Sequence, residues 1–415
     1  MNKVQVNSEI GRLNAVLLHR PGIEIERMTP ENAAKALYSD ILNKSIVDKE
    51  YNRFATVLSK WTKTYFVVDL LEEILKDETV KNNLVEQSCK LDGCEFLKEE
   101  LLLHTPSQLA KELIEGFAYR QGVDPDKYQE DRYILKPLYN LFFTRDASST
   151  VFNRVLIHNM STDVREREIL IYNAIFTNYF GCETLSTRGY AMDARTEGGD
   201  VLIAREDTLF IGNGGRTNTK GIQYLAETFA KERSKFNILV QELPQTPESF
   251  IHLDMVFTFL GTHQCMAYEP LIMKNSYYSQ YKTTHIAIDN GKITYHEKPN
   301  FMAGTRDLGF DLEPVFCGGS DYWMQQREQW HSGANFFALG EGKVIGYQRN
   351  TNTIEAMAKA GFAVLDADDI CQGKVDMNDY EKFVATFAAS ELPRGGGGAR
   401  CMTMPINRNE VDWNK

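Results

Sequence analysis

Short apolar runs alternate with longer stretches of helical spacing along most of the chain, and this alternation predicts an α/β fold. NAVLLHR (14–20) reads as a strand, a helical stretch runs to about residue 60, and YFVV (65–68) reads as the next strand. The unit recurs with RVLIHN (154–159), a helix over about 163–180 and CETLS, with Gly181 as the helix stop. VLIAREDTLFIG (201–212) reads as a hairpin turning at Glu206 and Asp207, followed by a helix over about 220–233 and FNILVQEL. A late unit has KVIGYQR (343–349), a helix over about 352–359, Gly361 and FAVL. Repetition of one strand–helix–strand unit suggests radial or stacked modules.

The rhythm breaks between residues 68 and 137, where no clear strand pattern is found. Leu70, Leu71, Ile74 and Leu75 follow helical spacing, and so do Leu109, Leu113, Ile114 and Phe117. Thr105-Pro106-Ser107-Gln108 reads as a capping box with proline at the first helical position. The segment is therefore expected to be an all-helical insertion, either a structural appendage or a lid or oligomer contact. The expected division is an α/β unit from 1–68 and 137–415, with the insertion at 69–136.

With 43% hydrophobic residues in 415, the chain has ample material for a large core. A net charge of -11 and the lack of a basic block argue against nucleic acid or anionic membrane as partners. No apolar run is long enough to span a bilayer, and the polar first ten residues do not read as a signal peptide. The seven cysteines are scattered, with no CxxC, so neither a disulfide framework nor a zinc site is expected, and a reducing cytoplasm is the expected setting.

Four segments carry candidate chemistry. RGGGGARCM (394–402) places Cys401 directly after four glycines. Such a loop permits backbone conformations closed to other residues and lets a ligand approach closely. Cys401 then reads either as an exposed nucleophile, its thiolate favoured by Arg394 and Arg400, or as an ordinary buried cysteine behind a flexible loop. IHLDMVFTF (251–259), taken as a strand, puts His252 and Asp254 on one face, as an acid/base pair or as a histidine satisfied beside a solvated carboxylate. TEGGDVLI (196–203) flanks a Gly-Gly with Glu197 and Asp200, which serves a tight turn or orients a histidine. YNLFFTRDASS (139–149) ends an apolar alternation with Arg145 and Asp146, whose default reading is an internal ion pair at a strand end.

Together these residue types suit one task. A guanidinium is planar, cationic and rich in N–H donors, so paired carboxylates grip it bidentately. Its carbon is a poor electrophile, which calls for a strong, aligned nucleophile such as a thiolate. An imidazole can protonate departing ammonia and then activate water.

In order along the chain, SEIGRLNAVLLHRPGIEIERMTPEN (8–32), LYSDIL, NLFFTRD, TEGGDVL, IGNGGRT, HLDMVFT and the glycine loop with CMTMPINR resemble the arginine deiminases, members of the guanidino-group-modifying superfamily. The resemblance covers nearly the whole chain. It implies a pentein fold, a five-bladed α/β propeller with the site on its axis and a helical insertion in the first blade. It implies hydrolysis of free L-arginine to L-citrulline and ammonia by Cys401 as nucleophile and His252 as general acid/base, with Glu197 accompanying the histidine. Asp146 and Asp254 would hold the guanidinium, and Arg165 and Arg216 the α-carboxylate. Asn140 and Phe143 would line the pocket, with backbone contacts from Leu18 and the glycine loop. No cofactor and no metal are implied, the expected partners are L-arginine and water, and assembly as a homo-oligomer, dimer or tetramer, is expected. Two positions depart from the family loop, which commonly has a second arginine two residues after the first and a histidine before the cysteine; here these are Gly396 and Arg400. Amidino transfer, or hydrolysis of citrulline or another guanidino compound, is the alternative on the same scaffold, and product analysis separates them.

Overall fold

A computed structural model describes residues 3–118 and 133–413, apart from Met192 and Asn275. Among the described residues the chain forms five sheets of three or more strands and one two-stranded sheet, their strands joined by hairpins and by helical crossovers. The α/β class read from the apolar pattern is the class observed.

The five larger sheets share one plan. A central strand has an antiparallel neighbour on one side and a parallel neighbour on the other, the latter reached through a helix. In the first, Leu13–Leu18 is central, Lys63–Phe66 lies parallel after helix Lys44–Trp61, and the last strand of the chain, Met404–Arg408, lies antiparallel. In the second, Arg154–Ile157 pairs antiparallel with Ser148–Val151 and parallel with Thr184–Ser186, across helix Glu166–Asn178. The third places Thr208–Asn213 between Val201–Arg205 and Lys235–Glu242, with helix Thr219–Glu232 as the crossover; the expected hairpin turns at Glu206 and Asp207. The fourth has Gln264–Ala267 between Phe257–Phe259 and Glu313–Phe316. The fifth has Lys343–Tyr347 between Phe337–Gly340 and Phe383–Phe387, and Ala363–Asp366 extends it. Gly181 (φ 61°) and Gly361 (φ 91°) stop their helices as expected.

Three differences from the pattern have local causes. Val67 and Val68 do not end a strand; they open the helix Val67–Ile74, whose apolar face is buried. The fourth sheet had no counterpart among the expected units. Its strands are three or four residues long, and the hairpin Thr283–Asp289 and Lys292–Lys298, inserted between its second and third strands, joins the third sheet instead. The insertion is not strandless, since Phe117–Ala118 pairs with Tyr133–Leu135; residues 119–132 of the expected insertion lie outside the described residues.

The described part of this segment is otherwise helical, with Val67–Ile74, Glu78–Asp92, Lys98–Leu102 and Pro106–Glu115. The Thr105 and Gln108 capping box is formed in both directions. Leu71, Leu109 and Leu113 pack in one apolar cluster with Ile171, Tyr172 and Phe176 of helix Glu166–Asn178, so these helices are anchored on the α/β part by burial. No helix among the described residues is long and apolar enough to cross a membrane.

Candidate active site

The candidate nucleophile, histidine and carboxylates converge because they precede equivalent strands of different sheets, the one antiparallel to the central strand in each. Cys401 precedes Met404–Arg408, Asp146 precedes Ser148–Val151, Glu197 precedes Val201–Arg205, and His252 and Asp254 precede Phe257–Phe259. The fifth such strand, Phe337–Gly340, is preceded by Asn335. Hydrogen bonds join these entries in a closed ring. The Arg145 amide donates to the Cys401 carbonyl (3.1 Å) and the Gly198 amide to the Asp146 carbonyl (3.0 Å). The Leu253 amide donates to Asp200 Oδ1 (2.9 Å), and Asn335 Nδ2 donates to the Asp254 carbonyl (3.1 Å). The Cys401 amide donates to Asn335 Oδ1 (3.2 Å) and closes the circle.

Over this ring lies a cavity of about 620 Å³. Cys401, His252, Glu197, Asp146, Arg165, Arg216, Asn140 and Phe143 all line it. His252 Nε2 is 2.9 Å from Glu197 Oε2, and its Nδ1 is 3.8 Å from Asp146 Oδ1. Burial works against the imidazolium, but Asp146, the Glu197 hydrogen bond and Asp200 outweigh it and bring the histidine up to about 9. Glu197 Oε1 accepts from the amide (3.1 Å) and hydroxyl (2.9 Å) of Ser161. Burial alone would raise this carboxyl; the His252 hydrogen bond and Arg216 hold it well below the usual carboxylate range. Burial pushes the Cys401 thiol well above its ordinary value, and Asp254 and Asp146 push the same way.

The glycines let the loop backbone pack against the aromatic wall. A Cβ on Gly397 would stand 2.4 Å from Phe143 Cε1, and Gly396 has φ 87°, the left-handed region that favours glycine. Tyr347 Oη donates to the Gly397 carbonyl (2.8 Å) and the Arg400 amide to Asn335 Oδ1 (2.9 Å), which pins the loop from beneath.

A family model described as arginine deiminase matches residues 35–408. The chain belongs to the arginine deiminase family. It is 31% identical to the arginine deiminase of Mycoplasma capricolum subsp. capricolum over 422 residues, covering 99% of this chain and 98% of that one. It is 30% identical to the arginine deiminase of Borrelia garinii subsp. bavariensis over 433 residues, covering 99% of each. Among solved structures, the N-terminal domain of ArgZ, a cyanobacterial arginine dihydrolase, is similar with TM-score 0.55 at 13% identity, covering 95% of this chain and 98% of that one. SxtG, an amidinotransferase from Microseira wollei, matches with TM-score 0.55 at 14% identity, covering 98% of both chains.

Several sequence expectations change in this arginine deiminase-family site. His252 and Asp254 are not on a strand; they flank Leu253 in a 3-10 turn, Leu253–Met255, and the strand starts only at Phe257. His252 lines the cavity, whereas Asp254 is fully buried, with Oδ2 2.8 Å from Arg400 Nη1 and 3.8 Å from the Cys401 sulfur. Arg145 and Asp146 do not pair with each other. Asp146 Oδ2 accepts from Arg165 Nη1 (2.6 Å), and Arg145 turns beneath the ring. Arg165 reaches the cavity but is also held by Glu168 and by the carbonyls of Asn140 and Phe143. Arg216 is freer, with Ser161 Oγ at 3.4 Å and Glu197 at 3.7 Å. Cys401 is only 2% exposed yet opens onto the cavity, and neither loop arginine attends the sulfur as expected: Arg394 bonds Asp40 and Glu391, and Arg400 points below.

Sequence reasoning missed Asn335, Glu9 and Glu168. The spacing of Arg165 and Glu168, three apart at a helix start, was a usable signal. Asn335 and Glu9 sit in irregular segments with no periodicity to mark them. Among the described residues, no group of three or more His, Cys, Asp and Glu side chains is placed to hold a metal ion.

Proposed function

We propose that this protein is an arginine deiminase that hydrolyses free L-arginine to L-citrulline and ammonia with Cys401 as nucleophile. The observation that carries the reading is a cysteine, a histidine raised to about 9 and two carboxylates opening onto one cavity at the ring of strand entries. The five sheets, their shared plan and the closed ring of hydrogen bonds support a five-bladed propeller of the pentein kind. On that reading residues 1–68 and 137–415 form the propeller and 69–136 an insertion, working in the cytoplasm as a homo-oligomer.

The mechanism follows from the charges. In the empty site the thiol is protonated and His252 is an imidazolium. An arginine guanidinium bound at Asp146, with Asp254 behind the sulfur, offsets the two carboxylates that oppose the thiolate. The thiol proton leaves to solvent, and the sulfur adds to the guanidinium carbon. His252 gives its proton to the departing nitrogen, the C–N bond breaks, and ammonia and an S-alkyl thiouronium form. Neutral His252, held by Glu197, takes a proton from water as the water oxygen attacks the same carbon. The C–S bond then breaks as the hydroxyl proton leaves to solvent, releasing citrulline and the thiolate. Arg216, with Arg165, receives the α-carboxylate, which selects a free amino acid over a peptide.

The test is product analysis on purified protein with arginine, citrulline, agmatine and methylated arginines. Arginine is expected to give equimolar citrulline and ammonia without an acceptor amine, and Cys401→Ala to give none. Activity retained in Cys401→Ala, or no citrulline from arginine, overturns the reading.

A further inference from the structure

The pocket mechanism does not account for the charges that surround Asp254 beneath Cys401. Arg145, Arg400 and Arg408 lie there with Glu9 and Asp254, all buried. Arg400 binds this cluster together. Its Nε and Nη2 donate to Glu9 (3.1 and 3.0 Å), Nη2 also to the Val201 carbonyl (3.1 Å), and Nη1 to Asp254 Oδ2 (2.8 Å). Glu9 is itself fixed, since its Oε1 also accepts from the Ile203 amide (3.1 Å). Among the described residues, Asp254 Oδ1 is buried without a hydrogen-bond partner, and Arg400 is the nitrogen donor to the other carboxylate oxygen.

Charge and geometry both depend on this guanidinium. Asp254 Oδ2 is shared between Arg400 Nη1 and the Cys401 sulfur, 3.8 Å away. Without the fork from Arg400, the carboxylate beside the sulfur would stay buried without its hydrogen-bonded charge partner, and breaking such a pair is costly. A lysine presents one point of charge and cannot reach Glu9 and Asp254 in two fixed directions. Burial would raise the Glu9 carboxyl, but Arg400 and then Arg145 bring it down to about 2, as expected of a carboxylate built to face guanidinium.

We infer that Arg400 is a positioning residue for the reaction: braced on Glu9, it holds the Asp254 carboxylate in place beneath the sulfur, and it acts on substrate only through Asp254. The inference rests on the proposed deiminase reading and adds a role for the residue next to the nucleophile.

A double-mutant cycle tests it. Arg400→Gln, Arg400→Lys, Asp254→Asn and both combinations are assayed for citrulline production, with Cys401→Ala as the control for the underlying reading. Arg400→Gln is expected to lower kcat/KM by about a hundredfold and Arg400→Lys by at least about tenfold, and in the Asp254→Asn background either change should cost less than about threefold more. Arg400→Lys keeps the buried charge and carries the test if Arg400→Gln does not fold. The alkylation of Cys401 by iodoacetamide gives a second readout. The charged groups around that sulfur are Asp254, Asp146 and Arg400, with His252 across the cavity. Its pH midpoint is expected to rise in Arg400→Gln. Losses that multiply in the double variants, or full activity in Arg400→Lys together with an unmoved alkylation midpoint, overturn the inference. Inactivity of the parent enzyme on arginine, or an active Cys401→Ala, overturns the deiminase reading instead.

Discussion

Replacing Glu197 by glutamine isolates the charge that holds the imidazole. The two side chains have nearly the same shape, and Oε1 can go on accepting from Ser161. What disappears is a unit charge 2.9 Å from His252 Nε2. At an effective dielectric of about 20 that interaction is on the order of 6 kcal/mol before desolvation. Most of it is consumed by taking both groups out of water. Asp146 remains 3.8 Å from Nδ1 and keeps part of the upward push. The histidine is therefore expected to fall from about 9 to about 7. The sign for stability follows. A histidine raised in the native protein stabilises it fully below its unfolded value of about 6.5, and that contribution is lost as pH climbs through about 9. The loss is about 3 kcal/mol in the wild type and less than half of that in Glu197→Gln. Two assays read this. NMR titration of ring-labelled histidine, with His252 assigned from a His252→Gln sample, gives the value directly. Urea midpoints from pH 6.5 to 9, taken as the difference between the two proteins, cancel groups that titrate alike in both. A His252 titration near 9 in both proteins, or parallel stability profiles, would refute the argument that Glu197 sets the protonation of the acid.

Two further substitutions probe the cavity itself. Asp146→Asn keeps the shape but removes the carboxylate facing both His252 and the cavity, and a loss in kcat/KM of at least about a hundredfold is expected in a citrulline assay; a loss under about tenfold would place the guanidinium grip elsewhere. Gly397→Ala sets a methyl 2.4 Å from Phe143 Cε1 and 3.0 Å from the Cys401 Cβ, so kcat is expected to fall by about tenfold or more through displaced sulfur, with thermal stability lowered only modestly. Wild-type kcat in that variant would mean that the loop need not approach the aromatic wall.

What could be read in advance were the segments whose meaning is contiguous. Strand and helix runs of ordinary length, the Glu206 and Asp207 turn and the Thr105 capping box depend on neighbours a few residues apart, and their patterns appear in the chain itself. The fourth sheet escaped because its strands are too short to show a period and a hairpin belonging to another sheet interrupts it. The candidate chemistry was legible as residue types but not as geometry. From the residues alone Asp146 reads as half of an ion pair and Asp254 as a strand residue beside His252, and it is the family resemblance that makes both guanidinium ligands. Only the fold separates them, placing Asp146 on the cavity wall and Asp254 under the sulfur against Arg400. The same holds for the cysteine. Two neighbouring arginines in sequence suggest an activated thiolate, yet the chain turns both away, to Asp40 and Glu391 in one case and to Glu9 and Asp254 in the other, and leaves the sulfur facing carboxylates. At a sulfur placed this way, burial and the two carboxylates outweigh the pull of Arg400. Its reactivity must then come with a cation that fits beside Asp146, which ties nucleophile activation to the same flat, charged group that the site is shaped to bind.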